Sequence, residues 1–215
     1  MDVYGDEQKR ELKRLASALR ELVESAVALR APLPELTELA AAAEALGARA
    51  AGFAGERPFP RYSAPIDGDL NTILPWSVIS GPYNPLAAPV SMSTEDGKAI
   101  GTARFGLAYE GPPGGVHGGV VAGVWDQVLA FAAMVHGSPG PTASLTTHYR
   151  AVTPLHTDLR FEGRIDRVEG RKTFASGRVF AGETLCAEAE GIFVAARPEK
   201  FAELLEVRAR RLSQG

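Results

Sequence analysis

Residues 114–135 read GGVHGGVVAGVWDQVLAFAAMV, and the fold turns on how this stretch is read. From Val120 to Val135 it runs sixteen residues with a single charge, Asp126. That is too long for an ordinary strand and short of the roughly 18 apolar residues that suggest a bilayer span. Ala122, Ala130, Ala132 and Ala133 favour a helix. Because the run is apolar almost all the way round, the helix is expected to be buried on most sides. Its entry, Gly114-Gly115-Val116-His117-Gly118-Gly119, is rich in glycine. A helix N-terminus leaves N–H groups unpaired and carries partial positive charge, and glycines let a ligand oxygen approach them. Such an entry either binds an anion or a developing oxyanion, or is a tight turn whose glycines serve packing.

Asp126 is the anomaly in this helix. A carboxylate among apolar residues must be paired, hydrogen-bonded or neutralised. It reads either as a group held by a neighbouring donor, or as a general base or nucleophile whose pKa its surroundings tune. His117 and Asp126 lie nine residues apart. On one helix, a rise of about 1.5 Å per residue separates them by roughly 13 Å. They cannot then act on one carbonyl within one chain. Either they are unrelated, or a symmetric dimer joins His117 of one protomer to the partner's Asp126, giving two composite sites.

Strand signals flank the helix. Before it, Val90 to Ser93 lead to the turn Glu95-Asp96-Gly97-Lys98 and on to Ile100–Leu107, a hairpin in outline. After it come four strand-like segments, Thr142 to Ala151, Asp158 to Val168, Lys172 to Ala181 and Thr184 to Ala196. Leu159, Phe161, Gly163 and Ile165 alternate with polar residues, as in a half-buried antiparallel strand. Hairpin, buried helix and run of strands describe an antiparallel sheet wrapped around one helix, in the α+β class. The hairpin, helix and strands make one domain over residues 90–197. Residues 1–52 read as a helical extension, with Leu12, Leu15, Leu19, Leu22, Val23 and Leu29 on one stripe and a second helix from Pro34. Residues 53–89 carry Pro58, Pro60, Pro65, Pro75, Pro82, Pro85 and Pro89 and read as a linker or arm, with Trp76, Tyr83 and Leu86 expected to pack it down. Residues 198–215 begin with Pro198 and read as a charged terminal helix with Phe201, Leu204, Leu205 and Val207 on its apolar side.

The whole chain has 215 residues, is 45% hydrophobic and carries a formal net charge of −3. This suits one large domain or one domain with an appendage. A pI near 5.9 gives no electrostatic footprint for nucleic acid or an anionic membrane. Cys186 stands alone, which excludes an internal disulfide and a cysteine zinc site. His136, His148 and His156 lack metal-ligand spacing, so no metal is expected. The N-terminus has no hydrophobic signal core and carries Asp2, Asp6, Glu7 and Glu11, so a cytoplasmic location is the expectation.

Read as an ordered series, Gly111-Pro112-Pro113-Gly114, His117-Gly118-Gly119, Asp126, Thr142-Ala143-Ser144-Leu145, Tyr149-Arg150, Pro154-Leu155 and Val168-Glu169-Gly170-Arg171-Lys172 resemble one family. This is the hotdog-fold acyl-CoA thioesterases of the PaaI/4-hydroxybenzoyl-CoA thioesterase-like superfamily, and within it the branch of thioesterase superfamily member 4. The resemblance implies a hotdog fold in which the His-Gly-Gly segment caps the central helix and a backbone N–H there polarises the thioester carbonyl. Carried over, that donor is Gly118, with His117 orienting the loop or substrate and Gly119 beside the ligand. The catalytic carboxylate falls on Asp126 and its hydroxyl partner on Thr142, which holds either the attacking water or the carboxylate; an ordinary threonine at a strand start is the other reading. Other branches place an Asn or Gln shortly before the histidine; here Gly111-Pro112-Pro113 stands there, so the oxyanion site depends more on backbone N–H. Arg171, Lys172 and Arg150 are implied at the nucleotide end of coenzyme A, whose phosphates guanidinium and ammonium groups recognise; solvated surface residues are the other reading. Trp125, Phe131, Met134 and the proline-rich arm either set the depth of an acyl pocket or are plain core. A homodimer or a dimer of dimers is implied, because hotdog sheets pair side by side. No cofactor is implied, since coenzyme A arrives as part of the substrate.

The function expected is hydrolysis of a fatty or aromatic acyl-CoA to free acid and coenzyme A. A non-catalytic acyl-CoA binder is the alternative from another class. A hotdog hydratase or dehydratase would need His and acidic motifs that this chain lacks, and a serine hydrolase would need a G-x-S-x-G elbow that does not occur.

Overall fold

The computed structural model describes residues 4–55, 73–195 and 197–212. In chain order the elements are α1 (Asp6–Ala26), α2 (Leu33–Ala51), β1 (Val90–Glu95), β2 (Lys98–Ala103), a 3-10 turn (Leu107–Tyr109), α3 (Gly118–Val135), β3 (Thr142–Tyr149), β4 (Leu159–Glu169), β5 (Lys172–Ala181), β6 (Thr184–Val194) and α4 (Pro198–Leu212). The six strands form one antiparallel sheet in the order β1-β2-β4-β5-β6-β3. The β1–β2 turn places Asp96 at φ 50° and Gly97 at φ 75°, the left-handed pair that matches the twist of a tight hairpin. Strand β2 stops at Ala103, short of the expected Leu107, because the chain then leaves the sheet for the 3-10 turn.

Helix α3 begins two residues before the apolar run and is 18 residues long. By length and composition it is the one described helix that matches a membrane span, yet half of it is buried inside the protein. It packs on β2, β3, β4, β5 and β6, with Val121, Val124, Trp125, Val128, Leu129 and Phe131 fully enclosed. What lets it lie so close is a lane of small residues in register across the sheet: Ala99, Gly163, Gly177 and Ala189. A Cβ at Gly177 would collide with the Trp125 ring, and one at Gly163 would stand 2.9 Å from Val128 Cγ1. Trp125 meets Phe161 edge-on at 5.0 Å between ring centroids. Trp125, Phe131 and Met134 are therefore core residues in this chain.

The extension is helical as expected, but α1 turns a different face inward. Ala16 is buried while Leu15, Leu22, Val23 and Leu29 are exposed. The helix docks by polar contacts instead: Arg20 Nη1 donates to the Asn84 carbonyl at 2.8 Å, and Glu24 accepts backbone N–H groups of the 3-10 turn. Helix α2 buries none of its residues. Within the arm, Trp76 stacks edge-on with Tyr83 at 5.5 Å and Ser77 Oγ donates to Gln127 Oε1 on α3 at 2.7 Å. Leu86, expected to pack, is 75% exposed, since it sits in a turn whose Asn84 side chain accepts its N–H. Pro58, Pro60 and Pro65, and the side chains of Phe201, Leu204 and Leu205, lie outside the described residues.

Candidate active site

The loop that delivers α3 is held by its own backbone. Tyr109 C=O accepts the His117 N–H at 2.8 Å, Glu110 bridges Val116, and Gly111 N–H donates to Gly115 C=O at 2.9 Å. A Glu110 carboxylate oxygen accepts the Gly114 N–H at 2.8 Å, and Val116 N–H donates to Thr153 C=O at 2.8 Å. His117 caps the helix: its Nδ1 accepts the Gly119 N–H at 3.0 Å, which leaves the neutral ring's proton on Nε2. The Val120 and Val121 N–H groups both donate to His117 C=O. The Gly118 N–H has no acceptor among the described residues, while its carbonyl accepts from Tyr149 Oη at 2.7 Å. One amide thus stands free at the positive end of a well-buried helix. Gly118 is one of the residues lining a groove of about 360 Å³, together with Pro112, Val116, Tyr149, Arg150 and Thr153.

Asp126 lies two turns further along α3. It is half-buried, not enclosed as the apolar run suggested, because it lies on a flank of α3 beside exposed Thr142. Thr142 Oγ1 donates to its Oδ1 at 2.6 Å. No donor among the described residues reaches Oδ2. A carboxylate oriented by one hydroxyl, with its other oxygen open, is equipped to take a proton or to attack an electrophile.

The expected site residues fall into two groups at opposite ends of β3. Tyr149 pairs with Ala187 and lies with His117, Gly118, Gly119 and Arg150. Thr142 pairs with Phe193 at the other end, beside Asp126. Arg171 and Lys172 share that second end, since Lys172 pairs with Val194 and Arg171 C=O accepts from Ala195 N–H at 2.8 Å. Both side chains are exposed. Arg150 Nε donates to Glu188 Oε2 at 3.0 Å, and Arg178 donates to the same carboxylate at 3.2 Å. These hydrogen bonds, Arg150 first, hold the Glu188 carboxyl below its usual range. Because α3 is continuous from Gly118 to Val135, the two groups do not meet within one chain. Sequence reasoning missed Tyr149 and Glu110 as parts of the loop; their partners are backbone atoms, which no residue spacing announces.

A sheet curled around one helix, with a free amide at the helix start and a hydroxyl-bound carboxylate on its flank, defines a hotdog-fold domain. Comparison with known proteins narrows the class. Residues 113–188 match the model of the thioesterase superfamily. A solved crystal structure described as a thioesterase superfamily protein is 30% identical, with a TM-score of 0.73, over 85% of this chain and 94% of its own. The chain belongs to the thioesterase superfamily. It is 34% identical over 105 residues to acyl-coenzyme A thioesterase THEM4 of Mus musculus, and 34% identical over 110 residues to that of Bos taurus. Those matches cover 48% and 50% of this chain and 45% of each relative, so the chain matches a little under half the length of these enzymes.

Proposed function

We propose that this chain hydrolyses an acyl-CoA thioester to a free acid and coenzyme A. The observation that carries the reading is the 2.6 Å hydrogen bond from Thr142 to Asp126 on the same helix whose start leaves the Gly118 N–H free. The THEM4 relatives, named as acyl-coenzyme A thioesterases, support the substrate class. In this mechanism the thioester carbonyl oxygen accepts from Gly118 N–H, which stabilises the negative charge of the tetrahedral intermediate. Asp126 takes a proton from the attacking water, or attacks the carbonyl carbon itself. The C–S bond then breaks and coenzyme A leaves as a thiolate, which in the base route takes the proton held by Asp126. In the nucleophilic route water then hydrolyses the Asp126–acyl anhydride to the free acid and protonates the thiolate. Incorporation of oxygen-18 into the Asp126 carboxylate during a single turnover separates nucleophile from base.

The assembly proposed is a homodimer. Strand β3 pairs with β6 on one side and has no strand partner on the other among the described residues. Antiparallel pairing of two β3 strands around a two-fold axis sets the start of one against the end of the other. That brings Asp126 and Thr142 of one protomer toward the loop of its partner, with Arg171 and Lys172 or Arg150 at the phosphates. A chain-length panel of acyl-CoAs, followed by thiol release with Asp126→Ala in parallel, tests the reading. Release by the wild type that the variant loses is expected. Tight binding of acyl-CoA with no release by either protein would instead identify a binding protein.

A further inference from the structure

Helix α1 reaches the candidate site through one side chain. Glu24, near its C-terminal end, accepts the Leu107 N–H with Oε1 at 2.6 Å and the Ala108 N–H with Oε2 at 3.0 Å. Both carboxylate oxygens are committed to consecutive donors at the start of the 3-10 turn, 83 and 84 residues away in sequence. Such charge-assisted bonds are shorter and stronger than neutral ones. Gly106 makes the approach possible, since a Cβ there would collide with the Glu24 carboxylate. On its far side the same turn holds the loop: Tyr109 C=O accepts from His117 N–H, and His117 caps α3 beside the free Gly118 amide. A short relay of hydrogen bonds therefore runs from α1 to His117, the residue next to that amide in the chain. Ala16 and Arg20 fix the helix itself against the body of the protein.

We propose that Glu24 is a positioning residue, and that α1 is a clasp which sets where the Gly118 N–H stands. This rests on the reading of that N–H as the oxyanion donor. Glu24 touches no reacting atom; it acts through Leu107, Ala108, Tyr109 and His117. A reacting group misplaced by about 1 Å costs on the order of a hundredfold in rate, so a small shift of the loop passed on to Gly118 is enough to matter.

The test compares wild type with Glu24→Ala, Glu24→Gln and Gly106→Ala. Arg14→Ala is the control, because among the described residues Arg14 pairs only with exposed Glu11 on the same helix. Gln keeps one acceptor oxygen, and Gly106→Ala evicts the carboxylate without altering α1. Amide hydrogen exchange over residues 106–121 is read first, without substrate. Thiol release from an acyl-CoA the wild type accepts is read second. Exchange at Leu107, Ala108 and His117 is expected to quicken in Glu24→Ala and Gly106→Ala and to stay unchanged in Arg14→Ala. In the same two variants kcat is expected to fall about tenfold or more. KM should stay within about twofold. Glu24→Gln should fall between. Unaltered exchange at His117 in Glu24→Ala would overturn the proposal, as would a lower melting temperature with kcat intact or a change confined to KM. Were the wild type itself inactive on every acyl-CoA, the activity reading would fail while the exchange data still decided whether Glu24 holds the loop.

Discussion

Thr142 and Asp126 show how little chemistry a single residue carries without its neighbour. The hydroxyl orients the carboxylate, so Thr142→Val, equal in shape but without the donor, should lower kcat by up to about a hundredfold. Thr142→Ser should retain most of it. Steady-state thiol release measures both. Asp126 was legible in the sequence because it is the one charge in its helix. Thr142 stands sixteen residues away on another element and was legible only through the family resemblance. Away from the site, Glu162 accepts from Arg160 at 2.8 Å and from Lys98 at 3.4 Å, and the Arg160 hydrogen bond is the main cause holding its carboxyl below the ordinary value of 4.5. A carboxyl lowered in the folded state stabilises the protein above its unfolded value, and that stabilisation disappears as pH falls through the lowered one. The melting temperatures of wild type and Glu162→Gln should therefore differ at neutral pH and converge in acid, as a pH series of thermal scans would show.

At the scale of elements, α3 and the sheet depend on each other through absent side chains. Gly177→Ala would drive a methyl into the Trp125 ring and toward the Glu162 carbonyl. It should cost about 1–3 kcal/mol of unfolding free energy, the usual effect of overpacking, measured by denaturant titration. The helix itself announced its place by its apolar run. The lane of Ala99, Gly163, Gly177 and Ala189 did not, because glycine within a strand pattern reads as weakness or a bulge until register shows what lies above it. Helix α1 was legible as a helix but not in its orientation. Periodicity selects leucines, whereas this helix docks through Ala16, Arg20 and Glu24.

For the whole molecule the decisive expectation is that one site draws on two chains. Gly118 is the first residue of α3, where proline is tolerated, and His117 before it already has the extended backbone, φ −57° and ψ 131°, that a following proline requires. Gly118→Pro thus removes the free N–H. Gly118→Ala keeps it and presents the same Cβ to Tyr149, so it serves as the control. Coexpressing Gly118→Pro with Asp126→Ala in equal amounts should make half of all dimers mixed, each with one intact site of two, and so restore about a quarter of wild-type activity. No recovery would place both groups in one chain.

The position of α3 in the chain order also shapes how the protein is made. It ends at Val135, whereas β6, the last strand it packs on, ends at Val194. At roughly 5–20 residues per second, a ribosome needs about 3–12 s to supply the intervening segment. Throughout that interval the most apolar element of the nascent chain has only part of its sheet to lie on, β2 already made and β3 to β6 still arriving. The demand for chaperone shielding falls there, during synthesis, and ends when the β4–β6 meander closes over the helix.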